Sequence, residues 1–264
     1  MKSNISNIFF HPTKIWHCLV ILAVVYVFAP LIFFEYGLNK GLDKYPMPVL
    51  FFAPMIVAAT LSCFIYYKKK GTMAEVILAE KKVNWQQFVS YVALFLMFAA
   101  STVLLSVGNK GDKIEESIPT WYVPVYYAFT FACALGEEVL FRGVFFDSLV
   151  KTYGRPWLIM VVMSALFGLG HADYPYHILT AFLSSMFFYV AYYKTHSLLL
   201  CITMHFSGDD FMNYVYGTFG NEHYAVGAAL MLLSFVGLVL LILYDRKKKS
   251  ASSEKVFAEH RLHG

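Results

Sequence analysis

The sequence predicts an all-α membrane protein, a single polytopic domain over residues 1–264 built as a bundle of about eight transmembrane helices. Three observations predict this fold class. Hydrophobic residues make up 59% of the chain and charged residues only 14%, and the mean hydropathy is +0.57. The apolar residues also follow one another in runs of about 20, the length that a helix needs to cross a bilayer.

The apolar runs give the expected spans in chain order. The run over 15–34 is longer than the core of a signal peptide and lacks a cleavage pattern, so we expect it to stay as the first span. Trp85, Trp121 and Trp157 each stand at the start of a later run, as interfacial aromatic residues tend to. The expected spans are 15–34, 48–67, 85–107, 121–146, 157–172, 178–194, 197–216 and 224–244, with a polar tail over 245–264.

The lysine and arginine residues predict how the spans are oriented. Eight spans put both termini on one side of the membrane. Of the 21 Lys and Arg residues, only Lys40, Lys44, Lys110 and Lys113 would then lie outside, which leaves 17 on the cytoplasmic side. Because cytoplasmic loops are enriched in these residues, we expect a multi-pass protein of the cell membrane with cytoplasmic termini.

The net charge of +4 does not indicate a nucleic-acid partner. The cations lie in short clusters between apolar runs, whereas a nucleic-acid-binding protein presents them along a polar face. The clusters at 68–70 and 246–249 are typical of topology determinants and of contacts with anionic lipid, so the lipid bilayer is the expected partner.

The fourth span contains two adjacent acids and a base, Glu137, Glu138 and Arg142. Each ionisable side chain deep in a spanning helix costs roughly 2.5–3.5 kcal/mol, so three of them need a specific reason. Glu138 and Arg142 are four residues apart and can pair, while Glu137 points about 100° away and is left without that partner. A structural ion pair that holds two helices together is the alternative reason.

Two later spans each contribute polar groups. The fifth ends in Phe167-Gly168-Leu169-Gly170-His171, where the two glycines leave room for a neighbouring backbone close to His171. In the seventh, His205 and Asp209 are four apart and share a helix face. The alternatives are a hydrogen-bonded interfacial histidine at 171 and an Asp209 that only orients His205.

Together these groups indicate hydrolysis. An acid with a neighbouring imidazole can take a proton from water, and the water can then attack a carbonyl carbon. A second imidazole can hold the oxyanion or the leaving group in a dry helix bundle. A divalent metal such as zinc is also open, because Glu137, His171, His205 and Asp209 form a sensible ligand set, although the sequence has no His-Glu-x-x-His helix.

The motifs resemble those of the CAAX-protease and bacteriocin-processing (CPBP, or abortive-infection) membrane endopeptidases. That family's pattern is Glu-Glu-x-x-x-Arg, Phe-x-x-x-His and His-x-x-x-Asn or Asp on three spans of a mainly eight-helix bundle. Here Glu137-Glu138-x-x-x-Arg142, Phe167-x-x-x-His171 and His205-x-x-x-Asp209 stand in that order on the fourth, fifth and seventh expected spans. The resemblance covers about 121–216.

The resemblance implies hydrolysis of a peptide bond within or at the edge of the membrane. Glu137 would be the general base, His171 would help to hold the attacking water, and His205 with Asp209 would stabilise the oxyanion. Glu138 and Arg142 would be a structural pair in the site. Asp209 stands where members similar to the prenyl-protein proteases have Asn, so it would have to be protonated, orient His205 or bind a metal.

The expected substrate is a membrane-associated or lipid-modified peptide or protein, such as a bacteriocin or pheromone precursor in a bacterial setting. A non-catalytic scaffold or immunity factor that regulates a partner membrane protein is the main alternative. A proton-coupled transporter is a second alternative. It is disfavoured because the sequence lacks inverted repeats.

The four cysteines fall in apolar runs and are expected to be core residues. Cys133 and Cys201 stand four residues before Glu137 and His205, so they could line the same cavity. A cysteine nucleophile is not favoured, because the acids would then have no role.

One expectation conflicts with the motifs. Counted at 1.5 Å per residue from the expected span ends, Glu137, His205 and His171 lie roughly 6, 13 and 21 Å above the cytoplasmic boundary. A fourth helix that continues to Val150 and a fifth that starts at Pro156 would reduce this difference in depth.

Overall fold

The computed structural model describes residues 10–28, 31, 47–70, 83–105, 122–171, 175–219 and 223–262. All regular structure in these stretches is helical, which confirms the all-α prediction. The helices are α1 (Ile15–Leu22, continued as a π-helix over Ala23–Phe28), α2 (Met47–Lys70), α3 (Trp85–Leu105), α4 (122–153), α5 (Pro156–Gly170), α6 (Pro175–Thr195), α7 (Leu198–Phe219) and α8 (Tyr224–Leu262).

Each predicted span corresponds to one of these eight helices. The largest differences are at C-terminal ends. Helix α4 continues beyond Phe146 to Tyr153, and α8 runs on through most of the predicted polar tail. Helix α4 ends because Gly154 adopts a left-handed conformation with φ 63°, and α5 begins at Pro156, where a missing N–H does no harm.

Helix α4 changes its winding where the charged motif lies. It is α-helical over Tyr122–Glu138, π-helical over Val139–Phe146 and α-helical again over Asp147–Tyr153. A π-helix closes each turn with one more residue than an α-helix and often marks a functional site. The two acids therefore end the first α-helical part, and Arg142 lies in the wider stretch.

Two compact units divide the chain. The first comprises Met1–Asn84 and Lys110–Asp209. In it α2 packs closely on α4, since a Cβ added to Gly136 would lie 2.5 Å from the Cα of Ala59. Helix α6 packs on α5 at Gly168, where an added Cβ would lie 2.7 Å from the carbonyl oxygen of Ile178. Among the described residues, no atom lies within 4 Å of a Cβ added to Gly170, so the predicted close neighbour is not found at this position.

A tight turn starts the helix that contains His205. His196 has a positive φ of 52°, which few residues other than glycine and asparagine adopt. Ser197 follows, and its hydroxyl accepts a hydrogen bond of 3.1 Å from the backbone N–H of Leu200. This is the N-cap contact that satisfies a free donor in the first turn, so it fixes the start of α7.

The second unit comprises Trp85–Asn109 and Asp210–Gly264, with α3 packed against α8. The rings of Phe98 and Phe235 meet edge to face with centroids 5.8 Å apart. The amide of Gln87 donates a 2.7 Å hydrogen bond to Asp245.

In the described part of the chain, two helices are long and apolar enough to cross a membrane: Trp85–Leu105 and Tyr224–Asp245. The apolar stretches of four others are shorter: Ile15–Phe28, Ile56–Lys68, Pro156–Gly170 and Leu198–Asp209. The eight-span topology and the single domain therefore stay predictions. The four lysines predicted outside, Lys40, Lys44, Lys110 and Lys113, fall outside the described residues.

Candidate active site

The two acids of α4 are both buried in the first unit. Glu138 has no exposed surface, and Glu137 is 8% exposed. Gly136 precedes them, and its missing side chain allows α2 to pack against this turn of α4. A larger residue at 136 would push the two helices apart next to the acids.

Arg142 is completely buried, and its guanidinium bonds in two directions. It donates to Glu138 Oε1 at 3.0 Å, the pairing that their spacing predicted. It also donates to the hydroxyl and the carbonyl oxygen of Ser185 in α6, at 2.8 and 3.1 Å. Arg142 therefore ties α4 to α6 and holds the Glu138 carboxylate from one side.

Aromatic rings surround the Arg142 guanidinium. Its central carbon lies 4.3 Å from the ring centroid of Tyr189 and 5.1 Å from that of Phe188. Phe167 and Phe141 follow at 5.3 and 5.9 Å. The electron-rich ring faces attract the cation and exclude water, so the ion pair lies in a dry environment.

His205 completes this network from α7. Its Nδ1 lies 2.9 Å from Glu138 Oε1. A carboxylate only accepts hydrogen bonds, so Nδ1–H is the donor and Nε2 is left to face the other way. The ring of Phe188 stacks on the imidazole, with centroids 5.2 Å apart and planes 26° apart. Glu138 and Phe188 together fix the orientation of His205.

The Nε2 atom of His205 faces two carboxylates. It lies 3.9 Å from Glu137 Oε2 and 3.6 Å from Asp209 Oδ2. Both distances are too long for a direct hydrogen bond. A water molecule about 2.8 Å from both Nε2 and Oε2 would fit the first of these gaps. Glu137 Oε2 is buried and has no hydrogen-bond partner among the described residues, so it could bind such a water.

Glu137 and His205 lie side by side, as the motifs predict and in contrast to the depths counted from the expected span ends. The continuation of α4 beyond the expected boundary is one reason, because the acids then lie farther from the end of the helix. The depth of the two acids was counted from Phe146, the expected end of the fourth span.

His171 is not joined directly to the pair of Glu137 and His205. No hydrogen bond or ion pair in the described residues joins it to Glu137 or His205. Its Nδ1 donates to the carbonyl oxygen of Phe167 at 2.8 Å, and its ring lies 5.2 Å from that of His177. Phe167 contacts both imidazoles, with centroids 4.6 Å from His171 and 6.0 Å from His205. A water-holding role for His171 stays a prediction.

The predicted metal ligands are not arranged around a common point that a metal ion could occupy. Among the described residues, no group of three His, Cys, Asp or Glu side chains could hold a metal ion. No step proposed below depends on a metal. The ligand set Glu137, His171, His205 and Asp209 stays a prediction.

Residues 119–209 match a family model described as "Type II CAAX prenyl endopeptidase Rce1-like". The matched segment is about a third of the chain and contains all six predicted site residues. This segment is similar to the Rce1-like family. No curated protein and no solved structure matches the chain.

The match confirms the resemblance to the CAAX-protease and bacteriocin-processing family. Rce1-like proteins are endopeptidases by description, so the family implies a protease. The Rce1-like segment and the two long apolar helices together indicate a membrane protein.

Sequence analysis missed three residues of the Rce1-like segment. Ser185, Phe188 and Tyr189 lie on α6, to which no role was given, and all three contact Arg142 or His205. The signal that could have found Ser185 is the pair of serines, Ser184-Ser185, within an apolar run, since small polar residues often mark helix contacts in membranes. The two aromatic residues had no such signal among the many rings of this chain.

Proposed function

We propose that the protein is an intramembrane endopeptidase that hydrolyses a peptide bond of a membrane-associated or lipid-modified peptide. The observation that carries this proposal is the facing pair of Glu137 Oε2 and His205 Nε2, 3.9 Å apart and buried. An unpartnered carboxylate oxygen beside an oriented imidazole is the arrangement that activates a water. The match to a protease family supports the same reaction.

In the proposed reaction Glu137 takes a proton from the water, and the oxygen of the water attacks the carbonyl carbon of the substrate. The carbonyl π electrons move to oxygen and form the oxyanion of a tetrahedral intermediate. When the oxyanion collapses, the C–N bond breaks and the leaving nitrogen takes the proton from Glu137. The products are a carboxylic acid and an amine, and Glu137 returns to its starting state.

The other residues act on charge and orientation. His205, held at Nδ1 by Glu138, would donate from Nε2 to the oxyanion when Nε2 carries a proton. Asp209 would help to orient His205 and would not stabilise the oxyanion itself, because a carboxylate would repel that charge. Glu138 is then more than a structural partner of Arg142, since the same oxygen accepts from Arg142 and from His205.

The proposal includes the membrane topology. The eight helices would each cross or enter the bilayer, with both termini in the cytoplasm, as the distribution of Lys and Arg predicts. The substrate of such a protein would reach the site from the membrane. A leader or pheromone peptide would suit a bacterial cell, and a lipid-modified C-terminus is the other candidate class.

The test is a cleavage assay on the purified full-length protein in detergent. Candidate leader and lipid-modified peptides are incubated with wild type, with Glu137→Gln and with Asp147→Asn, with and without a chelator, and the products are identified by mass spectrometry. Asp147 is a matched control because it lies on the same helix but pairs with the Tyr192 hydroxyl. We expect cleavage by wild type and Asp147→Asn and a loss of at least about a hundredfold in Glu137→Gln.

Equal cleavage by wild type and Glu137→Gln would overturn the assignment of the base. If no tested peptide is cleaved while site variants keep their effect on a partner membrane protein, the scaffold alternative replaces the protease. Loss of cleavage on chelation would restore a metal to the mechanism.

A further inference from the structure

Cys133 is a half-buried neighbour of Glu137 to which the proposed reaction gives no role. It lies one helical turn before Glu137, and its thiol donates to Glu137 Oε1 at 3.4 Å. The thiol is the donor because a carboxylate only accepts. Within the described residues, no other hydrogen bond reaches either oxygen of Glu137.

The two oxygens of Glu137 are therefore in different situations. Oε1 accepts from the thiol, while Oε2 is buried, faces His205 Nε2 and has no hydrogen-bond partner in the part of the chain that the structure describes. A glutamate side chain has three rotatable bonds, and the thiol is the contact that distinguishes one carboxylate oxygen from the other. If this contact were removed, the carboxylate could turn Oε2 away from His205.

We propose that Cys133 is a positioning residue for the general base, an inference that rests on the proposed function. Its thiol holds Oε1 so that Oε2 stays directed at the water site beside His205. The sulfur forms no bond with the substrate and is not the nucleophile. The rate of a protease that uses a glutamate as its base would thus depend on a thiol.

A second cysteine provides the matched control. Cys201 stands four residues before His205, as Cys133 stands four residues before Glu137. Its thiol donates to the carbonyl oxygen of Phe188 at 3.5 Å. Substitution of Cys201 by Ala removes a buried thiol from the same unit without removing a contact to Glu137.

The kinetic test compares Cys133→Ala with Cys201→Ala in the peptide cleavage assay. We expect Cys133→Ala to lower kcat about tenfold with KM within about twofold, because a misdirected base slows the chemical step and leaves substrate binding intact. Cys201→Ala should keep kcat within about twofold. The proposal is overturned if Cys133→Ala keeps the kcat of wild type, whether or not its KM rises. Either result leaves the protease assignment standing.

An infrared measurement tests the contact without any activity. The S–H stretching band of Cys133 is identified as the band that disappears in Cys133→Ala. It should move to the frequency of a free thiol in Glu137→Leu, which has no acceptor, and stay in place in Asp147→Asn. A band that is the same in both variants would show that the thiol does not bond to Glu137. Because this result needs no turnover, it separates failure of the contact from failure of the proposed function.

Discussion

The two units of the molecule bury their polar groups in different ways. In the unit that holds the site, the buried charges of Glu138 and Arg142 bond to side chains on α6 and α7. In the α3 and α8 pair, buried hydroxyls such as those of Ser101 and Ser234 bond to carbonyl oxygens of their own helices. Gln87 and Asp245 link these two helices near one end of the pair.

The comparison indicates what the charges are for. In the described residues, α3 packs against α8 through apolar contacts and the hydrogen bond from Gln87 to Asp245, so helix packing in this protein does not require a buried ion pair. A buried ion pair adds little stability compared with apolar residues of the same shape. The charges of the first unit are therefore better explained by the orientation of His205 than by the stability of the fold.

The largest effect on stability is expected from Arg142→Leu. It leaves Glu138 buried without its cation and should lower the free energy of unfolding by about 3–5 kcal/mol. In the other unit, Gln87→Leu removes one hydrogen bond and should cost about 1 kcal/mol. Thermal unfolding of both variants in the same detergent measures the difference.

The double variant Glu138→Leu/Arg142→Leu sharpens this result. It removes both charges and should recover most of the lost stability, while peptide cleavage stays impaired because His205 has lost its acceptor. If Arg142→Leu costs no more than Gln87→Leu, the two units do not differ in the way described.

A smaller difference is expected between two glycines. A Cβ at Gly136 would press on the backbone of Ala59, which cannot move without shifting α2. A Cβ at Gly237 would press on Cδ2 of Leu94, the end of a flexible side chain. Gly136→Ala should therefore destabilise by about 2–3 kcal/mol and Gly237→Ala by less than about 1 kcal/mol, as measured by unfolding.

Gly170→Ala serves as the control for this pair, because no described residue lies within 4 Å of the added Cβ and the substitution should leave stability unchanged or slightly raised. Equal costs at positions 136 and 237 would mean that α2 can shift as easily as a leucine side chain.

The smallest effect is expected from Asp209→Asn. Its side chain is 38% exposed and lies 3.6 Å from His205 Nε2, and His205 is already held by Glu138. Asparagine keeps the size and can still accept a hydrogen bond, so we expect kcat/KM of peptide cleavage to stay within about tenfold of wild type. A loss above a thousandfold would show that the carboxylate itself is required, as it would be in a metal ligand.

Much of the fold could be predicted because it depends on local sequence. Runs of apolar residues gave all eight helices, and the starts at Trp85 and Tyr224 agree with the structure. The contact of Glu138 with Arg142 follows from helical spacing alone. The fourth helix was predicted too short, since the sequence analysis ended it at the hydrophobic boundary and not at Gly154, the residue that terminates it.

Contacts between distant helices could not be derived from spacing. The bonds of Arg142 to Ser185 and of His205 to Glu138 join residues 43 and 67 positions apart, so they depend on how the helices pack. The same applies to His171, which shares a motif pattern with the site but contacts Phe167 and His177. The π-helical stretch of α4 has no composition that distinguishes it from the apolar run around it.

That π-helical stretch has a consequence for how this protein could diverge. Wound as an α-helix, Val139–Phe146 would need fewer residues for the same number of turns. A chain with one residue deleted there could close the segment as an ordinary α-helix, and the following Asp147–Tyr153 would keep its heading toward Gly154. Length variation in distant relatives is therefore best tolerated after Arg142 and before Asp147, where a gap leaves the four-residue spacing of Glu138 and Arg142 unchanged.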